Sequence, residues 1–310
     1  MRCSVVIPTL NRVDVLSRTL TALGRQSLCA GAGAGSPPPF EVIVVDNGSS
    51  DGTAGAVAAV AAAFPVPLRY LRSSREKNAA AARNVGSQAA AGDYLVFLGD
   101  DTVPAPAFLE RHLTAHDRRR NRTEVVVIGH TAWPPESTPT RFMTYIAEQG
   151  WQFGFALIDD PENVPFNFFY TSNISLARGF FSAECGFDEE FPGCNWEDIE
   201  FGWRLRGRGM RLVYERDARV YHYHPTSLAS FALRQRQVGR SAWTFYRKHP
   251  EMAEFLGVEN LRGYSRRQRL RMEFLTWLCR LTERSHRLDL SRFYADLMRY
   301  YYFLGVLESR

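Results

Sequence analysis

The sequence predicts an α/β fold: a mostly parallel sheet flanked by helices, followed by a helical C-terminal third. Three observations carry this. Short β-branched runs alternate with segments of helical spacing through residues 3–129, which is the rhythm of βαβ units. The runs are almost continuously apolar, as in strands covered on both faces. From Thr226 onward only helical spacing remains.

The elements follow in order. Residues 3–8 read as a strand and 12–26 as a helix, with Val15, Leu16, Leu20 and Leu23 on one side. A Gly/Ala/Pro loop (28–39) leads to a second strand at 40–46 and an alanine-rich helix at 51–64. A strand at 68–71, a helix at 79–91, a strand at 94–98, a helix at 106–119 and a strand at 124–129 complete the alternation. Residues 131–170 are rich in proline and aromatics without a period, and read as an irregular excursion. A strand at 173–178, helices at 179–186 and 197–208, and two short strands at 211–214 and 218–222 follow. Helical segments are expected at 227–249, 265–286 and 290–307.

A chain of 310 residues accommodates one large domain or two. The net charge of +5 is mild, so it suits anionic small molecules or surfaces and gives no case for nucleic acid. The five cysteines (Cys3, Cys29, Cys185, Cys194, Cys279) form no CxxC pair. That argues against a zinc ribbon and a disulfide framework, and suits a reducing compartment. Residues 1–10 read as a strand and not as a leader, and no run reaches the roughly 18 apolar residues that span a bilayer. A cytoplasmic protein is expected. Residues 265–307, which mix arginines with apolar anchors, are expected to pack an apolar stripe on the domain or on a second subunit as a homodimer, with a solvated basic face, in preference to the alternative of a peripheral contact with the inner face of a membrane.

In an open parallel sheet, ligands bind at the carboxyl ends of the strands. Three polar clusters fall there: Pro8-Thr9-Leu10-Asn11-Arg12, the run from Asp46-Asn47 to Thr53, and Gly99-Asp100-Asp101. Each alone reads equally as a helix cap or turn. Asp100-Asp101 is suited to a hard divalent cation that neutralises a diphosphate. No GxGxxG follows the first strand and no GxxxxGK[ST] occurs, against a dinucleotide oxidoreductase or a P-loop enzyme. A second acid pair, Glu197-Asp198, opens a helix, where acids are also favoured by the helix dipole alone.

The order Val5-Val6-Ile7-Pro8-Thr9-Leu10-Asn11-Arg12, then Val44-Val45-Asp46-Asn47-Gly48-Ser49-Ser50-Asp51-Gly52-Thr53, Ala81-Ala82-Arg83-Asn84-Val85-Gly86 and Phe97-Leu98-Gly99-Asp100-Asp101 resembles the family 2 glycosyltransferases of the GT-A fold. Gly186-Phe187-Asp188-Glu189 and Glu197-Asp198 follow in the matching order, and the resemblance spans roughly residues 1–225. It implies inverting, metal-assisted transfer of a sugar, a hexose by expectation, from a nucleotide-diphosphate donor such as a UDP-sugar to an acceptor hydroxyl. Saccharides, lipid-linked saccharides, peptides and small molecules are all open as the acceptor.

By the same resemblance, Pro8, Thr9, Asn11 and Arg12 line the nucleoside pocket, Asp46 accepts a hydrogen bond from the base or lies beside it, and Asn47 belongs to the same donor-binding set. Arg83 reaches toward nucleotide or phosphate. Asp100 sits near ribose and metal, and Asp101 ligates Mn²⁺ or Mg²⁺. Glycine stands first in the usual acidic triplet, at Gly99, so a third ligand is sought. His222 is preferred over His224, both at the end of an expected strand. Asp198 matches the catalytic base, and Glu197 orients the acceptor or caps the helix. Trp196 and Trp203 stack on sugar faces or belong to the core. Gln237-Val238-Gly239-Arg240-Ser241-Ala242-Trp243 is close to the QxxRW signature of processive synthases, but its Trp is displaced by two positions and no run is long and apolar enough to span a membrane, so a non-processive enzyme is expected. The expected domains are 1–225 (nucleotide-sugar half 1–130, acceptor and catalytic half 131–225) and a helical extension, 226–310. The rival reading is a catalytically silent scaffold or sensor that binds nucleotide sugars. A nucleotidyltransferase is disfavoured because residues 8–12 contain no glycine.

Overall fold

A computed structural model describes residues 2–30, 38–73, 75, 77–193, 195–224, 226–259, 261, 263–282 and 289–310. Cys194, residues 31–37 of the expected loop and residues 283–286 of the expected helix 265–286 lie outside the described residues. The chain divides into two compact units. The first comprises Met1–Glu136, Ile158–Glu189 and Glu197–His224; the second comprises Ser137–Leu157, Glu190–Trp196 and Pro225–Arg310.

The first unit is built on β1 (Cys3–Thr9), β2 (Phe40–Asp46), β3 (Leu68–Arg72), β4 (Tyr94–Leu98), β5 (Thr102–Pro104), β6 (Val125–Ala132), β7 (Asn173–Ala177) and β8 (Arg211–His222). They form one sheet in the order β3-β2-β1-β4-β7-β6-β8-β5. The first four are mutually parallel, β7 runs antiparallel to β4 and β6, and β6 pairs parallel with β8. This is the mostly parallel α/β sheet the sequence predicts. The helices up to residue 207 are α1 (Val13–Leu23), α2 (Ser27–Ala30), α3 (Thr53–Ala61), α4 (Ala79–Ala89), α5 (Phe108–Arg118), α6 (Arg141–Glu148), α7 (Arg178–Ser182) and α8 (Glu197–Gly207). Of these, α6 belongs to the second unit and the others to the first.

The reason for the nearly continuous apolar runs is visible in the core. Val5, Ile7, Val42, Val44, Val96 and Leu98 are buried with Leu16, Leu20 and Leu23 of α1 and with Phe108, Leu109 and Leu113 of α5. Burial of such side chains, at about 1.5–3 kcal/mol each, holds helices on the sheet and fixes which strand ends form the rim.

Several local features differ from the sequence expectation, among them the short helices α2, at the start of the expected loop 28–39, and Ala253–Leu256. β5 carries no sequence signal of its own: it is three residues long, ends in proline and sits at the sheet edge, where proline is tolerated. The two expected strands at 211–214 and 218–222 are one strand. Their ladder with β6 survives a register shift at Gly129/His130, which absorbs the polar residues Arg216 and Asp217. Within the stretch read as irregular, α6 forms behind Pro134, Pro135 and Pro139, with Thr140 accepting from the Met143 amide at 3.2 Å.

The second unit adds α9 (Leu228–Lys248), α10 (Ala253–Leu256), α11 (Arg266–Thr282) and α12 (Tyr294–Ser309). The helices α9 and α12 meet backbone to backbone. A Cβ on Gly239 would lie 1.9 Å from the Tyr302 carbonyl oxygen, and one on Gly305 would lie 1.9 Å from that of Arg236. Gly239 inside the synthase-like segment therefore serves helix packing. No helix among the described residues is long and apolar enough to cross a membrane.

Candidate active site

The loops after β1 and β2 are tied to each other. Asn11, in the left-handed region at φ 51°, accepts from the Ser50 amide at 2.8 Å, and its own amide donates to Ser49 Oγ at 2.9 Å. Asp51 accepts from the Val13 amide at 2.9 Å. Pro8 is half-buried beside Val45 in the β1–β2 pairing. Asp46 is buried at the end of β2. It accepts from the Ser49 and Gly48 amides at 2.8 and 3.2 Å and from the Tyr70 hydroxyl at 2.5 Å. Burial works against its charge, but the hydrogen bonds from Tyr70, Ser49 and Gly48 outweigh it and hold the carboxyl below the usual range. Asn47 Oδ1 accepts from the Asn78 amide at 3.2 Å, which anchors the start of α4.

At the end of β4, Thr9 Oγ1 donates to Asp100 Oδ2 at 2.9 Å, and Arg12 Nη1 lies 3.1 Å from Asp100 Oδ1 while also pairing with Asp101. Thr19 Oγ1 donates to the Asp100 carbonyl at 3.0 Å, fixing the turn. Gly99 has a packing reason for lacking a side chain: a Cβ there would approach Asp101 Oδ1 to 3.1 Å and Thr102 Oγ1 to 3.2 Å. The pairing Thr102↔His222 between β5 and β8 brings His222 Nε2 to 3.5 Å from Asp101 Oδ2. The Tyr223 amide donates to the Asp101 carbonyl at 2.8 Å and locks that placement. Burial, then the Asp101 charge, pushes Asp100 up to about 6. Burial also works to raise Asp101, but hydrogen bonding to His222 and the charge of Arg12 bring it well below the usual range.

Asp101 and His222 thus stand together, carboxylate beside imidazole, with the Arg12 guanidinium as the cation now on the acids. Asp101 and His222 are the residues that would hold a divalent cation, offering one carboxylate oxygen and one imidazole nitrogen 3.5 Å apart. His224 is exposed past the end of β8, its ring 5.8 Å from that of His222. Among the described residues no group of three or more acidic, His or Cys side chains is gathered for a metal.

The second acid pair divides its roles. Glu197 is buried and its Oε1 accepts from Arg83 Nη1 at 2.7 Å; the guanidinium lies over the Phe187 ring at 5.6 Å. Arg83 is thereby turned to Glu197 inside the protein. Asp198 is only half-buried. Its Oδ2 accepts from the amide and the hydroxyl of Thr171, both at 3.3 Å, and its Oδ1 from the Ile199 amide at 2.9 Å. The carbonyl of the next residue, Ser172, accepts from the Gly99 amide at 3.2 Å. Thr171 and Ser172 precede β7, whose Asn173 pairs with Leu98 at the end of β4. Asp198 and the Asp100-Asp101 turn therefore share one rim of the sheet. Burial pushes both carboxyls of the pair up; the Asp198 charge adds to this at Glu197, while Arg83 opposes it at both.

Thr171, Ser172, Thr19 and Tyr70 support the site, and no sequence signal singles them out. The two tryptophans have protein partners. Trp196 donates from Nε1 to the Val238 carbonyl at 3.0 Å and packs on Phe245 and Phe255, and Trp203 lies on Phe166 with ring centroids 5.2 Å apart.

Known proteins of this build include sugar-transfer enzymes. The chain is 29% identical to validoxylamine A glucosyltransferase of Streptomyces hygroscopicus subsp. limoneus, over 88% of its own length and 63% of the relative's. The chain thus spans a little under two thirds of that curated relative. Among solved structures, it superposes on the mannosyltransferase PcManGT from Pyrobaculum calidifontis, solved in complex with GDP-Man and Mn²⁺, with a TM-score of 0.61 at 16% identity over 99% of this chain and 86% of that one. It also superposes on S. aureus TarS 1-349 in complex with UDP-GlcNAc, with a TM-score of 0.58 at 17% identity over 99% and 91%. At these identities the superpositions establish the shared fold. Residues 4–177, more than half of the chain, match the family model described as glycosyl transferase family 2, and this chain belongs to that family.

Proposed function

We propose that the chain transfers a sugar from a nucleotide-diphosphate donor to an acceptor hydroxyl with inversion, one sugar per encounter, using Asp198 as general base. The observation that carries this is the contrast within the acid pair. Glu197 is locked into a buried ion pair, whereas Asp198 is only half-buried, its Oδ2 held by two long hydrogen bonds, at the same rim as Asp100 and Asp101. A base must lie within hydrogen-bond reach of the proton it removes, and loosely held contacts leave it free to accept one. As the acceptor oxygen bonds to the anomeric carbon, the bond from that carbon to the diphosphate breaks; the hydroxyl proton goes to Asp198 and the electron pair leaves with the phosphate.

Pro8, Thr9, Asn11, Arg12, Asp46, Asn47 and Asp100 form the donor side of this reading. Arg83 acts through Glu197, fixing the start of α8 and with it the position of Asp198. Asp101 and His222 would hold a divalent cation, Mn²⁺ or Mg²⁺, which when bound neutralises charge on the diphosphate. The GDP-Man and Mn²⁺ of the mannosyltransferase and the UDP-GlcNAc of TarS support a nucleotide-sugar donor. A silent sugar-nucleotide sensor would have no need of an accessible base.

The test is a panel of UDP-, GDP- and TDP-sugars, screened by thermal shift with and without Mn²⁺ and then for nucleoside diphosphate release. A bound donor raises the melting temperature by mass action, and release requires the same donor and metal. A donor that binds while release stays at the uncatalysed level with every acceptor class tried (saccharide, lipid-linked saccharide, peptide, small molecule) overturns the catalytic reading.

A further inference from the structure

We propose that α11 docks the protein on an anionic membrane surface, lying in the interface and not crossing it. The helix carries an exposed apolar stripe at Leu270, Phe274, Trp277 and Leu281, which are 57%, 59%, 55% and 61% exposed. Their spacing of four, three and four residues places all four within about 60° of one another at roughly 100° per residue. Phe274 and Trp277 stack, centroids 5.8 Å apart at 30°, so the stripe has a flat aromatic centre. The opposite face is already used, because Thr276 and Cys279 are buried within the second unit.

What covers the stripe is indicated by the charges beside it. The same turns carry Arg266, Arg267, Arg269, Arg271 and Arg280 against a single acid, Glu273. On the helical wheel Arg266 and Arg280 flank the stripe on one side and Arg267 and Arg271 on the other. All four are exposed, and among the described residues none is in an ion pair. Aromatic and aliphatic side chains between two rows of cations match the acyl boundary and phosphate level of an anionic bilayer. A second copy fits worse, since a symmetric pairing of two such helices sets arginine rows against each other. The inference is independent of the sugar-transfer reading, because no residue of the rim takes part.

The test is flotation of the full chain with vesicles of phosphatidylcholine alone or mixed with phosphatidylglycerol, at low and high salt. Wild type should float with the anionic vesicles, stay behind with neutral ones, and lose binding as salt rises. The double variant Phe274→Ser/Trp277→Ser should bind about tenfold or more weakly, and Arg267→Ser/Arg271→Ser should lose the preference for anionic lipid. All four positions are on the surface, so melting curves should match wild type, and nucleoside diphosphate release in detergent-free solution should be unchanged. The proposal is overturned if wild type never floats, if the apolar variant floats as well as wild type, or if sedimentation shows a dimer that the apolar variant disperses.

Discussion

Replacing Asp198 by Asn removes the proposed proton acceptor and keeps the shape of the side chain. The contacts at stake are modest. The two hydrogen bonds from Thr171 are 3.3 Å long, and the one from the Ile199 amide, 2.9 Å, is available to the amide oxygen of Asn as well. Losing the Thr171 contacts costs about 1 kcal/mol, and the amide no longer bears the burial penalty that pushes the Asp198 carboxyl up. The net change in stability should therefore stay within about 1 kcal/mol, a melting shift of a few degrees. Catalysis is different. A positioned general base contributes about 10²- to 10⁴-fold, or about 3–5 kcal/mol of barrier. Steady-state release of nucleoside diphosphate should fall by that factor in kcat, while calorimetric donor affinity stays within about threefold. In wild type, kcat should fall on the acid side at a pH above the ordinary carboxylate range, because Asp198 must be ionised to accept a proton and its pKa is raised. An Asp198→Asn variant that folds and turns over within about tenfold of wild type, or one that loses donor affinity in parallel with kcat, refutes the assignment.

Other outcomes follow from the same contacts. Arg83→Met strands Glu197 in the interior and should cost about 3–5 kcal/mol in urea unfolding, with much of the loss recovered in Arg83→Met/Glu197→Gln. His222→Ala should raise the Mn²⁺ concentration for half-maximal activity and leave metal-free donor binding unchanged, read by titration in the presence and absence of EDTA. Buried His112, bonded to Ser175 and Asn173, has its pKa lowered by burial from 6.5 to about 4. The unfolded chain then takes up more protons between about pH 6.5 and 4, so stability falls as the pH drops through that window, by up to about 3 kcal/mol. Denaturant melts at several pH values should show this slope, and His112→Asn should reduce it by that residue's share, since burial also lowers the pKa values of His116 and His130.

The fold is legible in the chain because it depends on local signals. β1, β2 and β4 are nearly continuous apolar runs, and the polar clusters after them lie at their carboxyl ends. What escapes depends on pairing between distant residues. The Thr171–Ser172 segment meets the Asp100-Asp101 turn because β7 runs antiparallel to β4, and His222, which only the family resemblance put beside Asp101, reaches it because the three-residue β5 pairs with β8. Neither pairing leaves a pattern in the chain. The Arg83–Glu197 ion pair joins residues 114 apart. An arginine in an alanine-rich helix carries no mark that distinguishes a ligand for phosphate from a buried counter-ion. α6 is hidden by the three prolines before it, which break periodicity up to its first turn.

The crossing of α9 and α12 makes the last sixteen helical residues a splint. With main chain pressed on main chain, there is no cushion of side chains to absorb a change, so even a methyl at either glycine must pry the two rods apart. Trimming the chain before Tyr294 would strip the cover from α9 and leave its apolar flank open to water. What looks in the sequence like an appendage behaves as the clasp that keeps the longest helix shut.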